Sequence, residues 1–280
     1  MTGEDTRQVN ARLVRANEGE NGRTGSGQTE HAVGRQLLQE HHMEIYVNEK
    51  LAARLVCTAN DLEDLVVGRL ITEGLIDRFS DIEQMHLCES GNRARVFLKE
   101  TVEFAPKEEE EPTCCTENHV YLRRLSSEEE KPLATEEKES GSCGSNDAKP
   151  TCQAAWKDEW IFGLVNAFAQ DSKLHKSTGG THSCMLAVED QILYQAEDIG
   201  RHNALDKAVG YAVRNQLDRQ KCILFTTGRV PTDMLKKVIR AGIPILVSKA
   251  IPTADAVELA KANGIALICR AWPDSFEVYA

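Results

Sequence analysis

The second half of the chain alternates short apolar runs with amphipathic stretches, and this alternation restricts the folds open to it. From Thr151 onward, apolar runs of four to five residues are separated by stretches with apolar residues at helical spacing. Gly242 and Gly264 each follow such a stretch, as glycines at helix C-termini do. The pattern predicts a layered α/β/α domain over residues 151–280. The predicted elements are helix 154–169, strands 184–188 and 192–195, helix 203–216, strand 222–225, helix 232–241, strand 243–247, helix 254–263 and strand 265–269.

A smaller α+β module is predicted upstream, at residues 41–104. Residues 44–57 alternate apolar and polar side chains, which indicates a hairpin that turns at Asn48-Glu49. A helix is predicted from Asn60 to Gly74, with Asn60 as its N-cap and Glu63 completing a capping box.

The charge of the chain is concentrated in one segment. Residues 105–140 hold eleven acids and five bases, so they carry more than half of the net charge of −11. We therefore predict a flexible acidic insertion at 105–150 and, from the polar composition of residues 1–40, a disordered N-terminal arm. The remainder is nearly balanced and does not favour a nucleic-acid partner. No apolar run is long enough to cross a bilayer, and the first residues are polar, so we expect a cytoplasmic protein without a membrane partner.

A dense polar block occupies residues 197–210, where strand gives way to helix. Gly200 separates the two elements, and Arg201, His202 and Asn203 fall at the start of the helix. Free backbone N–H groups and the helix dipole favour anions there. A capped helix with surface salt bridges is the alternative interpretation. The candidate binding residues in this block are Asp198, Arg201, His202, Asn203 and Lys207.

Two further blocks point to the same chemistry. In Thr178-Gly179-Gly180-Thr181-His182 the glycines allow close approach of a ligand to the backbone. Gly228-Arg229 follows a predicted strand and precedes a helix, and residues 247–253 repeat this arrangement. Ligands collect at the ends of parallel strands, so three such switches predict a phosphate-bearing ligand, such as a nucleotide or dinucleotide. Neither a Walker A nor a G-x-G-x-x-G motif is present.

The nine cysteines show no C-x-x-C spacing, and an odd number in a cytosolic chain argues against a disulfide scaffold. Cys57, Cys184, Cys222 and Cys269 lie in apolar runs and are expected to be buried. Cys143 differs, because glycine and serine surround it in a stretch without packing periodicity.

Taken together, the Thr178–His182 and Asp198–Gly210 blocks resemble the signature of the FdhD family, the formate dehydrogenase accessory sulfurtransferases. The resemblance covers most of residues 44–279 and implies a fold like that of cytidine deaminases. It implies no deaminase activity, because the P-C-x-x-C half of the zinc motif is absent from the sequence.

The family resemblance implies sulfur transfer. Family members take sulfur from a cysteine desulfurase as a persulfide and pass it to the bis-molybdopterin guanine dinucleotide molybdenum cofactor that formate dehydrogenase requires. The resemblance implies that Cys143 is the persulfide carrier and that the protein is a homodimer. The spacings of Cys114, Cys115, Cys143 and Cys152 fit no zinc pattern, so no metal site is predicted. The family's second loop cysteine is replaced here by Asn146. Two alternatives remain: a chaperone that binds the cofactor without sulfur transfer, and an unrelated nucleotide-dependent enzyme.

A C-terminal segment completes the predicted cofactor site. By resemblance, the cofactor-binding residues are Arg270, Ala271, Trp272, Pro273, Asp274, Ser275, Thr178, Gly179, Gly180, His182, Asp198, Arg201, His202, Asn203, Lys207, Gly228 and Arg229.

Overall fold

Two β-sheets with helices packed between and around them form the body of the protein. The computed structural model describes residues 6–18, 24–106, 122–124, 156–171 and 173–280. The strands are β1 (Thr6–Glu18), β2 (Thr24–Leu38), β3 (His41–Val47), β4 (Lys50–Cys57), β5 (Ile82–Leu87), β6 (Arg93–Leu98), β7 (Phe104–Pro106), β8 (Leu122–Arg124), β9 (His182–Val188), β10 (Gln191–Asp198), β11 (Cys222–Thr226), β12 (Ile245–Ser248), β13 (Ala266–Trp272) and β14 (Ser275–Val278). The helices are α1 (Leu62–Thr72), α2 (Asp158–Asp171), α3 (Lys173–Thr178), α4 (Arg201–Arg214), α5 (Thr232–Ala241) and α6 (Ala254–Ala262). No helix in these ranges has the length and apolar character needed to cross a membrane.

The larger sheet has the strand order β10-β9-β11-β12-β13-β14. Strands β11, β12 and β13 are parallel, and β9 runs antiparallel to both β10 and β11. Strand β10 therefore points the same way as β11, and four strands end at one edge of the sheet, which we call the carboxyl edge. The switches into α4, α5 and α6 all lie at this edge, as the sequence predicts.

Alternation along the strands distributes their side chains between two cores. In β11, Ile223 and Phe225 face α2, whereas Leu224 faces the core that contains α4 and α5. All three side chains are buried. Helices therefore cover both faces of the larger sheet, and the predicted mixed α/β class is confirmed.

The second sheet has the order β4-β3-β6-β5 and packs on α1. Every residue of α1 is buried except Glu63, because the helix also crosses α4. The crossing is close at two glycines. A Cβ atom on Gly68 would lie 1.7 Å from the backbone oxygen of Asp206, and one on Gly210 would lie 1.8 Å from that of Asp64.

The predicted hairpin and helix of this module are found, but the predicted capping box is wrong. Asn48 and Glu49 have φ values of 45° and 65°, as a tight turn requires. Helix α1 begins after Asp61, and no side chain caps it. The amide oxygen of Asn60 instead accepts hydrogen bonds from Thr58 and Lys207. The Asn60 side chain, which the sequence predicts to cap the helix, therefore bonds to the buried Lys207 instead.

Residues 6–18 and 24–38 form two strands, although the composition of residues 1–40 predicts a disordered arm. Strands β1 and β2 pair antiparallel, from Thr6 opposite Leu38 to Glu18 opposite Thr24. A ladder of backbone hydrogen bonds needs no apolar periodicity, so composition does not reveal it. Within the predicted acidic insertion, β7 and β8 form a short pair. Cys143 and the other cysteines at 114, 115 and 152 lie outside the described residues.

Candidate functional site

The carboxyl edge brings together the separate blocks that the sequence singles out. His182 at the start of β9 pairs with Asp198 at the end of β10, and Thr226 pairs with Ser248 in the next two parallel strands. The backbone N–H of Arg270 bonds to the connection between β12 and α6 at 3.0 Å. Segments that are remote in sequence therefore line one continuous edge.

Asp198 fastens this edge to the second sheet. Its fully buried carboxylate accepts hydrogen bonds from the backbone N–H and the hydroxyl of Thr58, at 3.0 and 3.1 Å. It also accepts from the backbone N–H of Gly200 at 2.8 Å and from the amide of Asn203 at 2.9 Å. The ammonium of Lys207 lies 2.7 Å away. The start of α4 is thus fixed to the end of β4.

Lys207 is part of this buried network and is not presented to a ligand. Its side chain has no solvent exposure. Besides Asp198, the ammonium donates to the Thr58 hydroxyl at 2.8 Å, to the Asn60 amide oxygen at 2.9 Å and to the Glu197 carbonyl at 3.2 Å. An ammonium has three protons, and protein acceptors surround it. The geometry therefore gives Lys207 a structural role in place of the predicted contact with a cofactor.

Arg201 and His202 begin α4 and hold the neighbouring connection in place. A Cβ atom at Gly228 would lie 3.0 Å from the Cβ of Arg201, so the absence of a side chain at Gly228 lets the two segments touch. His202 Nε2 lies 3.3 Å from a carboxylate oxygen of Asp233 in α5. Burial lowers the pKa of His202, although Asp233 opposes this shift. Burial alone would raise the pKa of Asp233, but the His202 ring and Arg201 lower it to about 2.

The Thr178–His182 block is held by a carboxylate that sequence reasoning did not select. Glu197 accepts hydrogen bonds from the backbone N–H groups of Leu174 and His175, at 3.1 and 3.0 Å, and from the Thr181 hydroxyl at 3.2 Å. Gly179 has a φ of 68°, and a Cβ atom there would meet nothing within 4 Å. The glycine is thus required by backbone conformation, and open space lies beside it.

His182 is half-buried at the carboxyl edge. Burial lowers its pKa, and the positive charge of Arg201 lowers it further. A neutral imidazole can donate a hydrogen bond from one ring nitrogen and accept one at the other. His182 is therefore suited to contact a polar group of a ligand without adding charge.

The predicted C-terminal segment forms a hairpin at the same edge. Strands β13 and β14 are joined by a turn at Pro273-Asp274, and Trp272 pairs with Ser275. Ala271 is buried, whereas the Trp272 side chain is 49% exposed. Arg270 is exposed, has a φ of 49° and forms an ion pair with Glu277 at 3.1 Å. Of the six predicted residues at 270–275, all except Ala271 expose their side chains to solvent.

Two further features concern the cysteines and a cavity. Cys57, Cys184, Cys222 and Cys269 are buried, as expected, whereas Cys88 is exposed in the turn between β5 and β6. A cavity of about 500 Å³ opens on the second sheet and contains none of the predicted site residues. Its lining is His42, Met43, Glu44, Arg54, Leu55, Val56, Asn92 and Arg93.

Comparison with known proteins shows which family the chain resembles. The model of the FdhD/NarQ family matches residues 38–280. A relative named Sulfur carrier protein FdhD from Halalkalibacterium halodurans is 32% identical over 81% of this chain and 79% of its own length. A relative of the same name from Listeria monocytogenes is 29% identical over 86% of this chain and 88% of its own.

A solved structure supports the fold independently. The crystal structure of a formate dehydrogenase accessory protein from Desulfotalea psychrophila superposes with a TM-score of 0.69, at 22% sequence identity. It covers 98% of this chain, and the match spans 96% of that protein. From the family match over residues 38–280, this chain belongs to the FdhD/NarQ family.

Proposed function

We propose that this protein is a sulfur carrier for formate dehydrogenase, and that the carboxyl edge receives the anionic cofactor to which the sulfur is delivered. The clustering of both family blocks at one edge is the observation that carries the proposal. The names of the relatives from Halalkalibacterium halodurans and Listeria monocytogenes support the carrier role.

The cargo is the bis-molybdopterin guanine dinucleotide form of the molybdenum or tungsten cofactor, whose nucleotide ends bear phosphates. Arg229 and Arg270 are exposed at the carboxyl edge and can pair with phosphate oxygens. The starts of α4, α5 and α6 lie at the same edge, where the helix dipoles favour an anion. His182 adds a neutral donor or acceptor. The chemistry of these donors suits an anionic dinucleotide.

The proposed sulfur carrier is Cys143. Its thiolate attacks the outer sulfur of a persulfide on a cysteine desulfurase, the desulfurase thiolate leaves, and Cys143 holds the outer sulfur. Release of that sulfur as sulfide needs two electrons, which a second thiol supplies by forming a disulfide with Cys143. Asn146 stands where the family has its second cysteine. The second thiol is therefore supplied by Cys152, by the Cys114-Cys115 pair or by an external thiol.

The proposal also includes the location, oligomeric state, partners and fold of the protein. The protein acts as a cytoplasmic sulfurtransferase and homodimer, with a cysteine desulfurase and formate dehydrogenase as partners. Its layered domain corresponds to the cytidine deaminase-like fold, without the zinc chemistry of deaminases.

Intact mass spectrometry tests the carrier step. The protein is incubated with a cysteine desulfurase and free cysteine, alongside the variants Cys143→Ala and Cys88→Ala. We expect one reducible sulfur on the wild type and on Cys88→Ala, and none on Cys143→Ala. Cys88 is the matched control, because it is an exposed thiol away from the carboxyl edge. Equal loading of Cys143→Ala and the wild type rules out Cys143 as the carrier.

A chaperone that binds the cofactor without carrying sulfur is the second candidate. The replacement of the family's second loop cysteine by Asn146 favours it. The same experiment separates the two functions, since a chaperone would gain no sulfur in any variant.

A further inference from the structure

Lys249 is a half-buried cation at the carboxyl edge that the sequence pattern does not select as a site residue. It follows β12 directly, and its backbone N–H bonds to the carbonyl of Thr226 at 3.0 Å. Its ammonium lies 4.4 Å from the centre of the Phe168 ring. Phe168 belongs to α2 and is buried between that helix and the larger sheet. The lysine side chain therefore points toward the α2 face of the sheet.

Two other lysines withdrawn from solvent have carboxylate partners. Lys207 lies 2.7 Å from Asp198, and Lys237 lies 2.8 Å from Asp206. Among the residues that the structure describes, no ion pair of Lys249 is found, and burial is the one influence resolved on its pKa. The electron-rich face of Phe168 is the counterpart that the protein offers to the ammonium.

A partly buried ammonium without a counter-charge is unfavourable, because burial removes water that the ring replaces only in part. Burial accordingly lowers the pKa of Lys249. An anion bound beside the ammonium would supply a counter-charge and favour the protonated form. Strand β12 lies between the strands that lead to Arg229 and Arg270, so Lys249 occupies the middle of the proposed anion site.

We infer that Lys249 binds a phosphate or diphosphate group of the cargo, and that the Phe168 ring holds its ammonium in position for this contact. The inference rests on the proposed function, because it names a ligand contact within the same site. A structural role is the competing explanation, in which Lys249 only anchors α2 through the ring. If Lys249 binds an anion, removal of its charge weakens anion binding. If Lys249 only anchors α2, removal of its charge leaves anion binding unchanged.

Calorimetric titration with two probes, guanosine diphosphate and inorganic pyrophosphate, distinguishes them. The full chain is compared with Lys249→Met, which keeps an apolar stem over the ring, and with Lys249→Arg, which keeps the charge. Lys261→Met is the matched control, because Lys261 is an exposed lysine on α6 paired with Glu258. We expect Lys249→Met to weaken binding of both probes by about tenfold or more, as loss of one charge-assisted hydrogen bond predicts. Lys249→Arg and Lys261→Met should bind nearly as the wild type does.

Proton uptake provides a readout that an anchoring role would not change. If the bound anion favours the protonated amine, titrations in buffers of different ionisation enthalpy should show proton uptake at alkaline pH for the wild type. This uptake should be lost in Lys249→Met. A melting curve of each variant shows whether the substitution affects folding, and Lys249→Arg keeps the test decisive if Lys249→Met is unstable.

Two outcomes overturn the inference. One is equal affinity of the wild type and Lys249→Met for both probes, and the other is no binding by the wild type. Sulfur loading of Cys143 is measured on the same preparations. If Cys143 gains sulfur but the affinity for the probes does not depend on Lys249, the inference about Lys249 fails and the proposed function stands. If the affinity for the probes depends on Lys249 but Cys143 gains no sulfur, the anion site is supported and the sulfur carrier role is ruled out.

Discussion

At the scale of single residues, the polar block at 197–210 serves two purposes. Arg201, His202, Asp198 and Lys207 are all buried. Arg201 and His202 pack against the connection to α5 and against Asp233, whereas Asp198 and Lys207 bind each other. Sequence reasoning could place all four near a helix start, because Gly200 separates the predicted strand from the predicted helix. It could not tell which side chains point inward. Their shared partner, Thr58, directly follows β4 and lies 140 residues before Asp198 in the chain.

The buried pair predicts a large loss of stability for Lys207→Met. The variant leaves the Asp198 carboxylate buried without its cation, which should lower the free energy of unfolding by about 3–5 kcal/mol. Urea denaturation measures this loss. The double variant Lys207→Met with Asp198→Asn should be less destabilised, because the uncompensated charge is gone. Unchanged stability of Lys207→Met, together with weaker binding of pyrophosphate, would instead make Lys207 a ligand-binding residue.

At the scale of elements, apolar periodicity predicts the larger domain well. The bounds of α5 are as predicted, and the other predicted helices and strands of residues 151–280 are found with shifted ends. Periodicity misses β14, whose four residues follow a short Pro273-Asp274 turn, and it misses the polar hairpin of β1 and β2. Both depend on backbone pairing, which leaves little trace in the side chains. The meeting of α1 with α4 is also not evident from the sequence, since Gly68 and Gly210 read as ordinary helical glycines.

The α1–α4 crossing predicts opposite effects for two similar substitutions. Gly68→Ala puts a methyl group 1.7 Å from a backbone oxygen of α4, so the helices must separate. We expect a loss of about 1–3 kcal/mol or more. Gly163→Ala in α2 is the control, because Gly163 is exposed and the nearest atom to a new Cβ is 3.6 Å away. It should stabilise the protein by up to about 1 kcal/mol, as alanine is the better helix former. Thermal melts of both variants test the contrast, which disappears if the helices separate without cost.

At the scale of the whole molecule, the two sheets share one core. Buried residues of the second sheet, α1, α4 and the larger sheet form a single hydrophobic cluster. The sequence suggests a module at 41–104 joined to a larger domain, because an acidic segment intervenes. Contact between the two sheets could not be predicted, since it depends on α1 being buried between them. The Asp198 network adds a polar link at the carboxyl edge, so the candidate site depends on both sheets.

A shared core predicts that both sheets unfold in one transition. The three tryptophans, Trp156, Trp160 and Trp272, lie within the larger domain, so their fluorescence reports on that part alone. Hydrogen exchange of the β3 amides reports on the second sheet. We expect the two probes to give the same midpoint in urea, and we expect Thr58→Val to lower both by the same amount. This variant removes the hydroxyl that joins Asp198 and Lys207, at an expected cost of about 1–3 kcal/mol. If β3 lost protection at a lower urea concentration than the tryptophans, the second sheet would be an independent unit and the site would depend on the larger domain alone.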